Sequence, residues 1–148
     1  MKSLDKTRII DSASGWFRRK KSDVESLHVY FGPVDQKEYR RPIVLSEFGG
    51  YSLRIKGRTF TEKNYGYRDM ESQEHLTEGL KELYERDIIP YIGKGLCAAV
   101  YTQLSDVEDE TNGLFTYDRQ VLKPDAAVMR DIARRIREAN CENSVSSV

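Results

Sequence analysis

Apolar, β-branched runs alternate along the chain with polar, charged or glycine-rich stretches, and the pattern predicts strands interleaved with helices. "TRIIDS" (7–12) is a short strand candidate ending in polar Asp11 and Ser12, and "VESLHVYFGP" (24–33) is a second, stopped by Gly32 and Pro33. "PIVLSEFGG" (42–50) is a third. Its uninterrupted Ile43, Val44 and Leu45 read as a strand buried on both faces of a parallel sheet, so that Glu47 arrives at its C-terminal end. After a glycine- and aromatic-rich loop (49–69), Leu76, Leu80 and Leu83 fall on one face at helical spacing. "GLCAAVYTQL" (95–104) is the fourth strand candidate, followed by the acidic loop "SDVEDETNG" and the extended piece "LFTYD". A last helix opens near Pro124 with Val128, Ile132 and Ile136 as its apolar stripe; Arg134, Arg135 and Arg137 are expected near its end, where they suit the macrodipole. Residues 141–148 are expected to fray.

Composition narrows this picture. A chain of 148 residues has room for a single domain, 1–148, and 39% hydrophobic with 32% charged residues is ordinary for a globular protein. The 24 basic residues balance the 24 acidic ones, so no global field favours nucleic acid or an anionic membrane as partner. Cys97 and Cys141 stand apart, with neither a CxxC pair nor Cys/His clustering, so no metal site is expected. No stretch approaches the roughly 18 apolar residues of a membrane span. The opening "MKSLDKTRIIDS" lacks the apolar core of a secretory signal, which favours a cytoplasmic location as an expectation.

Candidate chemistry clusters where the strands end: Asp11 and Ser12, then His28 and Tyr30, then Glu47, then Tyr101, Gln103 and Asp106. Polar residues gathered at the C-terminal ends of parallel strands are what the mouth of an α/β barrel requires. The gaps between the first three strands, about a dozen residues each, are short for full crossover helices.

Four blocks, "TRIIDSASGW", "DVESLHVYFGP", "RPIVLSEFGG" and "AAVYTQLSDVEDETNGLFTYDRQVLKP", occur in this order and together resemble the last four strands of the catalytic (β/α)8 barrel of glycoside hydrolase family 2, the family of β-galactosidases, β-glucuronidases and β-mannosidases. The resemblance runs from about Leu4 to Met129. It implies an α/β fold of partial TIM-barrel type, a half-barrel of about four parallel strands with flanking helices. It also implies a retaining β-glycosidase, β-galactosidase-like by default. In the family, a glutamate in a context like "S-E-[FY]-G" at the end of the seventh barrel strand is the nucleophile, and Glu47 matches that position. Tyr30 matches a tyrosine that hydrogen-bonds the nucleophile. Retaining hydrolysis needs a second carboxyl group about 5–5.5 Å away as acid and base. The family places that glutamate after an asparagine, and this chain contains no Asn-Glu pair. The resemblance therefore implies a nucleophile-bearing piece of a larger enzyme, inactive alone, without cofactor, whose partners are a carbohydrate substrate and the rest of the glycosidase chain. The other reading is a non-catalytic half-barrel that binds carbohydrate or assembles with another copy through its open edges.

The remaining candidates each carry two readings. His28 could hold a sugar hydroxyl, and a histidine between Leu27 and Val29 reads equally as a satisfied structural residue. Trp16 could stack on the apolar face of a pyranose or pack in its loop. Tyr30 is otherwise a packing tyrosine. Tyr101 and Gln103, two apart on one strand, share a face, either the mouth or the outer helices, with the mouth favoured. Asp106 is a substrate-binding candidate within an acidic run that otherwise reads as a solvated loop. Gly49 and Gly50 are expected to leave room for a sugar ring beside Glu47.

Overall fold

The computed structural model describes residues 3–12, 15–17, 21–34 and 39–145. Its elements in chain order are β1 (Glu25–Val29), β2 (Ile43–Gly49), β3 (Tyr51–Ser52), β4 (Arg68–Asp69), α1 (Gln73–Asp87), α2 (Ile89–Ile92), β5 (Leu96–Thr102) and α3 (Ala126–Val145). The main sheet is parallel, with strand order β1-β2-β5, and the short β3 and β4 pair in parallel beside it.

The central strand β2 carries the core. Ile43, Leu45 and Phe48 are buried against Leu76, Leu80 and Leu83 of α1, which line one face of that helix as the leucine spacing predicts. Ser72 caps α1 by accepting a hydrogen bond from the His75 amide at 3.1 Å, and Glu74 sits favourably in the first turn. Pro90 in the first turn of α2 marks a fresh start after Ile88. In α3, Asp125 Oδ1 accepts from the amides of Ala127 and Val128 at 2.7 and 3.0 Å, and the Asp125 amide donates to Thr77 Oγ1 of α1 at 3.0 Å. The start of α3 is thereby tied to α1.

The structure departs from the pattern in several places. "TRIIDS" forms no strand. It nevertheless lies beside β1: the Asp23 amide donates to the Ile10 carbonyl at 2.8 Å, and a Cβ at Gly15 would strike the His28 ring, so the two contacts advance in the same direction along both segments. Ile9 is 79% exposed, because nothing among the described residues covers that flank, and without burial the segment has little to hold it in a ladder. Val44 is only half-buried between buried Ile43 and Leu45, so β2 is covered on the helix face alone, and residues 97–100 of β5 are exposed at the sheet edge. Residues 141–145 continue α3, which runs to Val145, and residues 146–148 lie outside the described residues. The three arginines consequently sit inside α3, where Arg134 pairs with Asp131 and Glu138, and Arg135 with Glu85 of α1. No helix among the described residues is long and apolar enough to cross a membrane.

Candidate active site

Strict alternation along β2 would put Glu47 on the same face as Leu45, under the helices. A bulge prevents this. Leu27 of β1 pairs with Leu45, but the next residue, His28, pairs with Glu47; on the other side, Ala99 pairs with Leu45 and Tyr101 with Phe48. Both neighbours register one extra residue in β2 between Leu45 and Phe48. Leu45 and Phe48 thus share the helix face, while Ser46 and Glu47 both turn to the open face. Ser46 Oγ lies 2.6 Å from Ser26 Oγ and within reach of the Leu27 carbonyl, which holds the bulge against β1.

Glu47 then meets the alternating residues of the neighbouring strands. The Tyr30 hydroxyl donates to Glu47 Oε2 at 2.6 Å, and Thr102 Oγ1 lies 3.2 Å from the same phenol oxygen. With its one proton given to Glu47, Tyr30 is the acceptor from Thr102, so a hydroxyl chain runs from β5 through Tyr30 to the carboxylate. Burial first, and the adjacent carboxylate second, hold the Tyr30 phenol well above the ordinary tyrosine range, so it stays a donor. His28 Nδ1 is 3.4 Å from Glu47 Oε2 but makes no hydrogen bond to it. The His28 side chain is 3% exposed, and neither ring nitrogen has a hydrogen-bond partner among the described residues. Trp16, 62% exposed, meets the His28 ring edge-on at 5.1 Å between centroids. The structure thus brings together Glu47, Tyr30, His28 and Trp16.

Three other candidates go elsewhere. Tyr101 does not face the open side that Glu47 takes: its ring packs on Phe48 at 5.7 Å on the helix face, and its neighbour Thr102 reaches Tyr30 on the open side instead. Gln103 lies beyond β5 and gives both amide protons internally, to Glu110 Oε2 and Asn112 Oδ1, each at 2.8 Å. Asp106 is not available to a ligand. Its Oδ1 accepts from Lys123 Nζ at 2.6 Å and from the Gly113 amide at 2.9 Å, with both side chains of the ion pair at most 1% exposed. Burial pushes the Asp106 carboxyl up and the Lys123 ammonium down, and their mutual attraction opposes both shifts. The acidic run is therefore more than a solvated loop, since Asp109 accepts from Thr61 and Glu110 from Gln103.

Gly49 and Gly50 have a different purpose from the expected one. Both have positive φ, +89° and +67°, and an added Cβ would strike the ring of Tyr101 at 2.3 Å or of Tyr67 at 2.4 Å. They allow the sharp exit from β2 and the close approach of these aromatic rings. Tyr67 is a site residue that pattern reasoning missed. It stacks on Tyr30 at 3.7 Å and 15°, and Phe31 and Tyr65 meet it edge-on at 5.6 and 6.0 Å. Its only advance signal is the density of aromatics in "YGYRD", which does not say where the loop folds. Among the described residues no group of three or more His, Cys, Asp or Glu could hold a metal ion.

Chemically, the arrangement is a half-exposed carboxylate whose Oε2 is held by a phenol, at the C-terminal ends of parallel strands, with Oε1 free to act. Comparison with known proteins finds no matching family model and no matching curated protein.

Proposed function

We propose that this chain is the nucleophile-bearing part of a retaining β-glycosidase of the glycoside hydrolase family 2 kind, β-galactosidase-like, with the β1-β2-β5 sheet belonging to the C-terminal half of a (β/α)8 barrel. The observation that carries this reading is the 2.6 Å hydrogen bond from Tyr30 to Glu47 Oε2 at the open mouth of the sheet. In the first step Glu47 Oε1 attacks the anomeric carbon as the bond to the leaving oxygen breaks, and an acid from the rest of the parent chain protonates that oxygen. In the second step water, deprotonated by the same group, displaces Glu47 and releases the sugar with retained configuration. Tyr30, kept protonated, orients the carboxylate throughout. Exposed Trp16 offers a face to the sugar ring, and buried His28 packs behind it. No cofactor takes part in this chemistry.

A 2-deoxy-2-fluoro-β-glycoside offered to the parent enzyme tests the reading. The expected result is a covalent ester on Glu47, located by peptide mass spectrometry, and no turnover of nitrophenyl β-glycosides by the chain alone, because general-acid assistance is typically worth about 10²–10⁴-fold. An ester on another carboxylate overturns it.

The exposed edge of β5 favours a second reading. Cys97, Ala98, Ala99 and Val100 present an uncharged strand edge of the kind natural proteins cover. Under this reading the chain is a non-catalytic half-barrel that assembles with another copy or binds carbohydrate. Light scattering at micromolar concentration distinguishes a stable oligomer from a 17 kDa monomer.

A further inference from the structure

The Tyr30 phenol is constrained by more than Glu47, and the constraints come from separate parts of the chain. Its ring is stacked by Tyr67, with 3.7 Å between centroids and 15° between planes. Its edge lies against Gly50, where an added Cβ would strike the Tyr67 ring and stand 3.1 Å from Tyr30 Cδ1 and Cε1. Its oxygen accepts from Thr102 Oγ1 at 3.2 Å. Gly50 also joins the other two residues: its amide donates to the Thr102 carbonyl and its carbonyl accepts from the Tyr67 amide, each at 2.9 Å. The φ of +67° at Gly50 turns the backbone sharply enough to reach both. Tyr67 is braced in turn, with Phe31 and Tyr65 edge-on to its ring.

Such bracing has a chemical consequence. A tyrosine hydroxyl sits at the far end of a side chain that swings about χ1, and a hydrogen bond weakens steeply once its donor leaves line. A ring packed flat on Tyr30 blocks the swing out of its plane. Thr102 acts on the proton instead. As donor to the phenol oxygen it leaves the phenol proton one acceptor, Glu47 Oε2 at 2.6 Å, and a proton given to that oxygen makes the phenol itself a stronger donor. With Oε2 held in this way, the carboxylate cannot rotate freely, and its two oxygens become inequivalent.

We propose that Tyr67 is a positioning residue for Glu47: its ring, seated against Gly50, fixes the plane of Tyr30 while Thr102 fixes the direction of the phenol proton, and together they set Oε1 as the oxygen that reacts. The inference rests on the reading of Glu47 as the nucleophile, and it adds what decides the orientation of that carboxylate.

The hydroxyl proton of Tyr30 in the full chain, observed by NMR with ¹³C at tyrosine Cζ, tests it without any sugar. A charge-assisted bond of 2.6 Å to a carboxylate should carry this proton far downfield and slow its exchange with water. Tyr30→Phe removes the signal and so assigns it. Glu47→Gln should move it upfield, because the acceptor loses its charge. Tyr67→Ala should move it upfield nearly as far, and Tyr67→Phe, which keeps the ring, should leave it in place. Thr102→Val should give a smaller upfield shift that Thr102→Ser reverses. Removing a stacked ring also changes the local magnetic field, so Tyr67→Ala is compared in two backgrounds. Its shift should be much smaller when Glu47 is already glutamine. Equal shifts in both backgrounds overturn the proposal, as does a signal that Tyr67→Ala leaves unmoved, or no downfield signal from the unsubstituted chain. Melting curves verify each fold, and Tyr67→Leu, which fills the slot without a flat ring, is read in the same way if the alanine variant does not fold. An ester on another carboxylate in the fluoro-glycoside experiment would overturn Glu47 as nucleophile, and with it the choice of reacting oxygen, while the proton shifts would still report the bracing of Tyr30.

Discussion

Glu47 and Asp106 are both carboxylates placed near the ends of parallel strands, and their surroundings differ in one decisive respect. Asp106 is sealed with Lys123, whose Nζ lies 2.6 Å away, and neither side chain is more than 1% exposed. Glu47 is 41% exposed on its side chain and is held by a neutral phenol at 2.6 Å. A buried ammonium neutralises a carboxylate and removes it from chemistry, whereas a phenol orients it and leaves its charge available. Position at a strand end does not decide function. The partner does.

The sharpest way to break this contrast is to remove Lys123. Lys123→Met leaves Asp106 buried without its cation and should lower stability by about 3–5 kcal/mol, read as the shift of the urea midpoint multiplied by the slope. Adding Asp106→Asn should recover much of that loss, because an amide needs no counter-charge. A single variant within about 0.5 kcal/mol of the parent would show that water reaches the pair and would erase the distinction.

Glu47 should behave oppositely. Glu47→Gln should leave stability within about 0.5 kcal/mol of the unsubstituted chain and, under the glycosidase function proposed above, abolish turnover. Tyr30→Phe should cost about 1 kcal/mol of stability and, under the same proposed function, lower turnover roughly ten- to a hundredfold. If Glu47→Gln destabilises the fold as severely as Lys123→Met, Glu47 is a structural carboxylate after all.

The smallest effect lies at alkaline pH. The Tyr30 phenol is raised above the ordinary value of 10.0, by burial first and then by Glu47. A group whose folded pKa exceeds its unfolded one adds stability that is complete below the unfolded value and is lost as pH climbs toward the folded one. Stability should therefore fall as pH rises beyond 10, and the fall should be shallower in Tyr30→Phe. Urea midpoints at a series of pH values between 9 and 11 measure it. An unchanged slope in the variant would mean that Tyr30 ionises like an exposed tyrosine. Tyr101, also raised by burial, persists in both proteins as the background.

Much of the frame was legible from local pattern. Leu76, Leu80 and Leu83 define α1, Pro124 stands just before α3, and the apolar run before Glu47 is a parallel strand, because helix period, proline's fixed φ and β-branching act on neighbouring residues. The closeness of His28, Tyr30 and Glu47 was also within reach, since the ends of parallel strands converge. What escaped the pattern depends on atoms distant along the chain. The extra residue in β2 that turns Glu47 from the helix face to the open face is visible only against the registers of β1 and β5. By the same register, Tyr101 enters the core and Thr102 reaches Tyr30. Lys123, seventeen residues from Asp106, gave no local sign of its partner. The sequence by itself determined which segments could become helix or strand and which residues could carry chemistry. Tertiary structure decided which face each side chain takes and which carboxylate is neutralised, because bulges, burial and ion pairing are settled by packing between elements rather than within them.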